Sequence, residues 1–561
     1  MADAEQIMTG RRAGGSPPEG GGASPSVAVG GLAGPAGGLA GADPAGLSGT
    51  TGPTSDGAAA PAMGKVVSSG MSWAMALSLV SKLLGALAQI ALAKILAPGD
   101  FGVYLASLAI SNLVLIFRDG GVRELLIQKG AKEYPALVGP VFWMALAING
   151  GTALALAAVA PLAARYSNMP EMTSVLLVTA ASLPLATPGA VLMCRLRIDL
   201  RFKLVSNIAT MSAFIRYVSM VGLALAGMGP MSFVLPLIII AVFESVAGFV
   251  ATRQAPWLRA PAPRLWRGFL GQVKWLFLGA LAGMMLDQGD YFVALRFIDR
   301  ETLGYYGFAN QLLLQSVYVV LSYATGTVLF PALSRLAGEP ERHRQASLRF
   351  LRALMLMSAP ACIGVALVFE PLERWLLDGK WDASVLPLQI LALMYPMRCT
   401  IGLTTAALMS QGRFKRWSVL TILEGCVLMG ATYFAATAYG TPLALACSTA
   451  GSLFVTRLAV VSFVLGRGAG SALADVLGSM LAAWLIAVGA GVGAWWLDGA
   501  LPAALHPAAR MVAVGAAFTA MYGVGARLVL SRQVREALGV LPARLGRPAH
   551  RLLLLSEHAR R

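Results

Sequence analysis

Apolar runs of about 20 residues, the length at which a helix crosses roughly 30 Å of hydrocarbon, recur along this chain and constrain its fold more than any other feature. Some fourteen can be placed, near 71–93, 102–117, 137–163, 173–193, 204–226, 232–252, 275–296, 303–330, 350–369, 384–410, 417–437, 442–465, 472–497 and 507–530. A soluble core cannot absorb them: 57% of the 561 residues are hydrophobic, only 13% are charged, and the mean hydropathy is +0.69. The expected fold class is an all-α polytopic membrane protein. The 137–163 and 384–410 runs exceed a straight span and require tilt or a kink, for which Pro387 and Pro396 are placed in the second.

Lys and Arg fall in every second connection. One set is Arg118, Arg123, Lys129 and Lys132; the next is Arg195, Arg197, Arg201 and Lys203; then come Arg253, Arg259, Arg264, Arg267 and Lys274, and the alternation continues to the arginine-rich end. The intervening connections AGMGPM (226–231) and AYGTP (438–442) carry no cation. By the positive-inside rule both termini are cytoplasmic and the helix count is even. This also accounts for the net charge of +17. The cations line one membrane face with no nucleic-acid module, so the expected partner is anionic lipid and nucleic acid is not expected.

Residues 1–64 are Gly, Ala, Pro and Ser with almost no aromatic content, too little to bury. They read as a disordered cytoplasmic tail and not as a signal peptide. Residues 531–561 read as a basic cytoplasmic tail, with an interfacial helix interrupted by Pro542 and Pro548.

Catalytic chemistry finds little support. Cys194, Cys362, Cys399, Cys426 and Cys447 lack metal-type spacing, His343, His506, His550 and His558 lie outside the apolar runs, and no HExxH, GxSxG or phosphate-binding glycine motif is present. The longest external connection, 370–385, is short and amphipathic. A non-enzymatic protein without cofactor is expected.

An internal repeat orders the runs. A shift of 202 residues lays KILAPGDFGVY (94–104) on RFIDRETLGYY (296–306) without a gap, matching Lys94 with Arg296, Gly102 with Gly304 and Tyr104 with Tyr306. Each copy joins the first and second run of a block of six. The expected organisation is an N-lobe over 65–252, a cytoplasmic linker over 253–274 with Trp257 and Trp266 at headgroup level, a C-lobe over 275–466, and two appended helices over 467–530. Two six-helix lobes in parallel pseudo-twofold repeat suit a transporter whose substrate site lies between them.

At ILAPGDFGVYLASLAISNLVLIFRDGGVRELLIQKG (95–130), LGYYGFANQLLL with VLFPALSRL (303–336) and DGKWDASVLPLQILAL (378–393), the chain resembles bacterial polysaccharide flippases of the multidrug, oligosaccharidyl-lipid and polysaccharide exporter superfamily. The resemblance covers nearly everything after residue 65. It implies an inner-membrane protein that moves polyprenyl-pyrophosphate-linked oligosaccharide between leaflets for exopolysaccharide or lipopolysaccharide synthesis, alongside polymerase or export machinery. A cation-coupled drug or metabolite antiporter of the same superfamily is the alternative, and a membrane glycosyltransferase or a lipid-II-type flippase comes after it.

Such a substrate needs a polar, partly cationic cavity open to lipid. Gln311, Gln315, Tyr318, Ser322 and Thr325 recur at helical spacing on the eighth run, as a cavity face or else as interhelical hydrogen bonding without substrate contact, and Ser78, Lys82, Gly85 and Gln89 on the first. Lys82 sits midway along its run, too deep to snorkel. Arg118 and Arg296, at run ends, are further candidates for the pyrophosphate, although Arg118 also has Asp119 beside it and Arg296 has Asp290 within reach. Asp287 and Asp290, at i and i+3, share one helix face, and two carboxylates in a poorly solvated place resist simultaneous ionisation. The pair is a candidate site for proton or sodium coupling, or else part of an ion-pair network. Arg216 with Glu244, and Glu424 with Arg457, fall at comparable depth on adjacent antiparallel runs and are expected to form one salt bridge per lobe, with opposite polarity.

Overall fold

The computed structural model describes residues 73–531 apart from 74–76, 79, 83, 116–121, 467–471 and 503–504. The two tails and Arg118 with Asp119 therefore lie outside the described residues. Among the described residues all regular structure is helical, and eleven helices are long and apolar enough to cross a membrane. The chain is a multi-pass membrane protein. Its residues divide into two compact units, meeting in sequence between Met284 and Met285.

The first unit holds α1 (84–95), α2 (Pro98–Leu115), α3 (Val122–Ser167), α4 (Glu171–Ile198), α5 (Phe202–Leu225), α6 (Met231–Thr252), a 3₁₀ turn at Pro256–Leu258 and the start of α7 (Pro263–Phe297). Residues 263–274 of the expected linker thus belong to a helix, which Pro263 opens at a position where its missing N–H costs nothing. The turn before it lies on neighbouring helices: Trp257 faces Phe249 and Phe142, and Trp143 Nε1 donates to the Arg259 carbonyl at 2.8 Å.

α4 is the hub of this unit, packing against α2, α3, α5 and α6. Pro184 and Pro188 interrupt its hydrogen bonds, and α6 supplies a repair. The Gly189 N–H donates across to Ser245 Oγ at 3.1 Å, and that hydroxyl lies 3.3 Å from the Leu185 carbonyl and 2.7 Å from that of Ala241. In hydrocarbon a side chain from the next helix is the substitute for water at a freed backbone group. Close approach is required for this: a Cβ on Gly189 would stand 3.0 Å from the backbone of Glu244.

The second unit takes α7 from Met285 onward, then α8 (Arg300–Leu313), a π turn (Leu314–Tyr318), α9 (Val319–Ala324), a second π turn (Thr325–Leu329) and α10 (Phe330–Arg335). After these come α11 (Pro340–Leu376), α12 (Asp382–Met409), α13 (Phe414–Ala438), α14 (Pro442–Leu465), α15 (Ala472–Ala500) and α16 (Pro507–Val529). α12 is the hub, touching α8, α11, α13 and α14. The 202-residue shift lays Pro98 on Arg300, the first residues of α2 and α8.

The eighth run is one rod with two π turns. Each adds a residue to its turn and rotates the remainder of the rod, so the expected stripe does not keep one face. Gln315 is exposed, Gln311 and Tyr318 are half-buried, and Thr325 is buried against Gly402 of α12. Two plugs close the ends of the unit. In the 370–385 connection Trp381 is fully buried, stacked on Phe308 at 4.1 Å, while its backbone N–H donates to buried Glu373 at 2.8 Å. At the opposite end His343 is buried, its ring nitrogens 2.8 Å from Ser410 Oγ and 3.1 Å from Gln411 Nε2. α15 and α16 pack on α11 through small and apolar residues, with Ala487, Ala490 and Ala494 against Ala359 and Ile363.

Candidate functional site

Polar and charged side chains gather in the interior of the second unit, where apolar helices give them no solvent to fall back on. α7 brings Asp287 and Asp290, drawn close to α13 by two glycines. A Cβ on Gly289 would meet Met429 at 2.8 Å, and one on Gly425 would meet Met285 at 3.0 Å.

Asp290 is 1% exposed. Its Oδ2 accepts the phenol proton of Tyr306, which lies in the second turn of α8, and Tyr306 Oη is 2.9 Å from Thr449 Oγ1 of α14. With the phenol proton directed at the carboxylate, Thr449 is the donor in the second bond. Asp290 Oδ1 has no hydrogen-bond partner, and among the described residues no salt bridge reaches this carboxyl. Beside it runs an uncharged chain: Asn310 Nδ2 donates to Tyr291 Oη at 3.0 Å, and Tyr395 Oη donates to Asn310 Oδ1 at 2.8 Å.

Asp287 is the more open of the two acids, its side chain 32% exposed, and Oδ1 accepts from Arg398 Nη2 at 3.2 Å. Arg398 comes from the middle of the hub helix α12 and its side chain is 3% exposed. The rings of Tyr318 and Tyr395 lie 5.7 and 5.6 Å from its guanidinium carbon, within the range of cation–π attraction. Its Nε and Nη1 are buried without partners. A turn or so along, Arg457 pairs with Glu424, and Arg457 Nη1 donates to Thr404 Oγ1 at 3.2 Å. The side chains of both partners are almost wholly buried, at 2% and 3%.

The two ion pairs of this cluster thus hold two guanidinium groups against two carboxylates, and Asp290 beside them is a third carboxyl group left over, while buried Glu373 lies apart in the 370–385 connection. An arginine stays charged in a protein, so the cations are fixed and the balance of charge rests on whether Asp290 carries its own cation.

The remaining sequence candidates lie elsewhere. Arg296 is exposed at the end of α7. Lys82 and Gln89 belong to the first unit and are half-buried; between them Gly85 lies so close to Tyr217 that a Cβ would stand 2.6 Å from its hydroxyl. The expected Arg216–Glu244 pair is not formed: Arg216 turns toward the ring of its own neighbour Tyr217, and Glu244 backs onto Gly189 of α4. Both side chains are half-buried, so neither is forced to find the other. Sequence spacing missed Arg398, Tyr306, Asn310, Tyr395 and Thr449. For Arg398 the signal was present, as a lone cation inside MYPMRCTIG (394–402).

Comparisons with known proteins agree with this architecture. Over 303 residues the chain is 27% identical to the succinoglycan biosynthesis transport protein ExoT of Rhizobium meliloti (strain 1021), a match covering 54% of this chain and 60% of that one. It is 29% identical over 181 residues to the teichuronic acid biosynthesis protein TuaB of Bacillus subtilis (strain 168), covering 32% and 35%. The matched stretches thus span less than two thirds of either relative. Among solved structures, the lipid II flippase MurJ in its inward closed conformation superposes with a TM-score of 0.61 at 13% identity, over 82% of this chain and 99% of that one, which shows a shared fold. A family profile described as polysaccharide biosynthesis protein matches residues 91–386, more than half of the sequence, and the chain belongs to that family.

Proposed function

We propose that the protein is a flippase of the bacterial inner membrane, both termini cytoplasmic, that carries polyprenyl-pyrophosphate-linked oligosaccharide repeat units to the outer leaflet by alternating access. The substrate's sugar head cannot cross hydrocarbon unaided, its pyrophosphate is anionic, and its tail remains in lipid; the protein has only to shelter the head. Membership in a polysaccharide biosynthesis family, a relative named as a succinoglycan transport protein and a fold shared with a lipid II flippase all support this reading.

The observation that carries it is the cluster of ionic side chains buried among membrane helices. Charges at that depth are expensive, and in a bundle of this kind they mark an ion or substrate pathway. Asp290 is the coupling residue: a proton on Oδ1, or a sodium ion held by Asp290 with neighbouring hydroxyl oxygens, neutralises the carboxyl that no arginine pairs with. Loading and release of that cation bias the two access states.

The test is depletion of the protein in its host with lipid-linked oligosaccharide and surface polysaccharide assayed together. Complete repeat units retained on the cytoplasmic leaflet, with surface polymer lost, are expected. Unchanged intermediates with a rise in drug sensitivity would overturn the reading in favour of a cation-coupled antiporter.

A further inference from the structure

Arg398 is poorly served by its surroundings, and the manner of its underuse points to a ligand. A guanidinium has five N–H donors in a planar fork suited to bidentate oxyanions. Buried Arg457 engages both Nη1 and Nη2 and leaves only Nε without an acceptor, and the half-buried fastener Arg510 uses the fork more fully. Arg510 meets Asp498 through Nε at 2.5 Å and Nη2 at 2.9 Å, and Nη2 also reaches the Asp498 carbonyl at 3.0 Å. Arg398 is far more buried and makes one contact, from Nη2 to a single oxygen of Asp287 at 3.2 Å.

Its Nε and Nη1 are enclosed with no acceptor. Two tyrosine rings flank the guanidinium and neutralise nothing. A structural ion pair at this depth gains its stability from complete hydrogen bonding, and this one is left incomplete. The incomplete pair also has an open end. Asp287 is the exposed partner, and Tyr318 beside Arg398 is only half-buried.

We propose that Arg398 is an anion-receiving side chain kept in reserve by Asp287, and that the anion it takes is the pyrophosphate of the lipid-linked substrate. The inference rests on the flippase reading for the identity of the anion, and on the geometry alone for the site. In the resting arrangement Asp287 acts as an internal counterion. An arriving pyrophosphate displaces Asp287 from Nη2 and offers oxygens to the Nε–Nη2 edge and to Nη1, which a single carboxylate contact cannot match.

The displacement has a consequence for coupling. Once released, Asp287 joins Asp290 as a second carboxylate without a cation, on the same face of α7. Two such groups raise the demand for a proton or sodium ion at the pair, so anion and cation bind better together than apart. By linkage the effect is mutual: sodium or a lower pH tightens pyrophosphate binding, and pyrophosphate tightens the cation.

Binding of inorganic pyrophosphate to the purified full-length protein in detergent, measured by thermal shift and calorimetry, tests this. Asp287→Asn is expected to tighten pyrophosphate on the order of tenfold, the low end of the coupling seen for close buried charge pairs, and to remove most of its dependence on pH and sodium. Arg398→Gln is expected to abolish the binding. If that variant does not fold, Arg398→Lys keeps the charge while losing the fork and is expected to weaken binding severalfold.

Unchanged or weaker binding in Asp287→Asn overturns the latch, and full binding in either arginine variant overturns the site. These outcomes are separable from the transport reading. Pyrophosphate bound as described with lipid-linked intermediates unaffected by depletion leaves the anion site standing and removes the flippase.

Discussion

Glu424 and Arg457 are the pair whose separation the bundle tolerates least. Both are nearly inaccessible to solvent, so neutralising the acid strands a charge that cannot leave. Removing one partner of such a pair costs about 3–5 kcal/mol, whereas replacing both by apolar residues of similar size is often close to neutral. Glu424→Gln is therefore expected to lower the unfolding midpoint in detergent sharply, and the double variant Glu424→Leu with Arg457→Met to recover most of it. A double variant as unstable as the single one would remove the charge-stranding explanation. Glu244→Gln is the contrasting case: Glu244 is half-buried and does not pair with Arg216, so its change belongs to the class worth at most about 0.5 kcal/mol. Much of the site was legible at this scale because a charge in an apolar run stands out on its own. Arg398 carries the same signal, but its partner Asp287 lies 111 residues away, a pairing that matching depths on adjacent helices does not reach. Asn310 and Thr449 are uncharged and at home in any helix, so nothing in their spacing separates them from ordinary packing, and the repeat that matches Tyr306 with Tyr104 marks its position without giving it a partner.

At the scale of the element, two small devices hold the helices in register. Ser245 of α6 bridges the backbone gap that Pro188 opens in α4. Side-chain hydrogen bonds between membrane helices average about 0.6 kcal/mol with a maximum near 1.7. Ser245→Ala should fall at the upper end, because it leaves both the Gly189 donor and the Leu185 acceptor unserved, and a thermal melt of the purified protein reads it directly. The second device is the start of α8, where the Asp299 carboxylate accepts from the backbone N–H groups of Glu301 and Thr302, both at 3.0 Å. Partial burial pushes this carboxyl up, but the hydrogen bonds from Thr302 and Glu301 outweigh it and hold the group below its ordinary 3.8. The cap's contribution is therefore complete above the unfolded value of 3.8 and is lost as pH falls through the lower folded value. Asp299→Ala is expected to cost about 1 kcal/mol at neutral pH, with the gap to the native protein closing on acidification below that range. A gap that widens in acid would reverse the assignment. The helices themselves were readable from hydrophobic length, which a bilayer enforces more strictly than a soluble core does. The π turns at Leu314–Tyr318 and Thr325–Leu329 were not, since a single added residue per turn leaves the hydropathy unchanged while rotating every side chain beyond it.

For the molecule as a whole, the proposed coupling turns on the buried cluster of Asp287, Asp290, Glu424, Arg398 and Arg457, where acids outnumber arginines. Were the charges balanced, the interior would be a fixed structural core and substrate alone would have to drive the access states. Asp290, buried and unpaired by any arginine, is under the proposed coupling the group that makes the protein sensitive to a cation instead. A state that exposes the carboxyl to one side of the membrane equilibrates with the proton or sodium activity there, and a state that encloses it favours the neutral, occupied form. Under that proposal net movement tracks the cation gradient. The prediction concerns transport and not stability: in cells or vesicles with the gradients set independently, collapse of one of them, protons or sodium, should stop the appearance of lipid-linked oligosaccharide on the outer leaflet, and collapse of the other should have no effect. Asp290→Asn mimics the occupied form permanently, so residual transport in that variant should no longer respond to either gradient, while Tyr306→Phe, which removes only the phenol donor to Asp290, should keep the response and shift its midpoint. Gradient-driven transport at the native rate in Asp290→Asn would move the coupling elsewhere in the chain and leave the third carboxyl without a role.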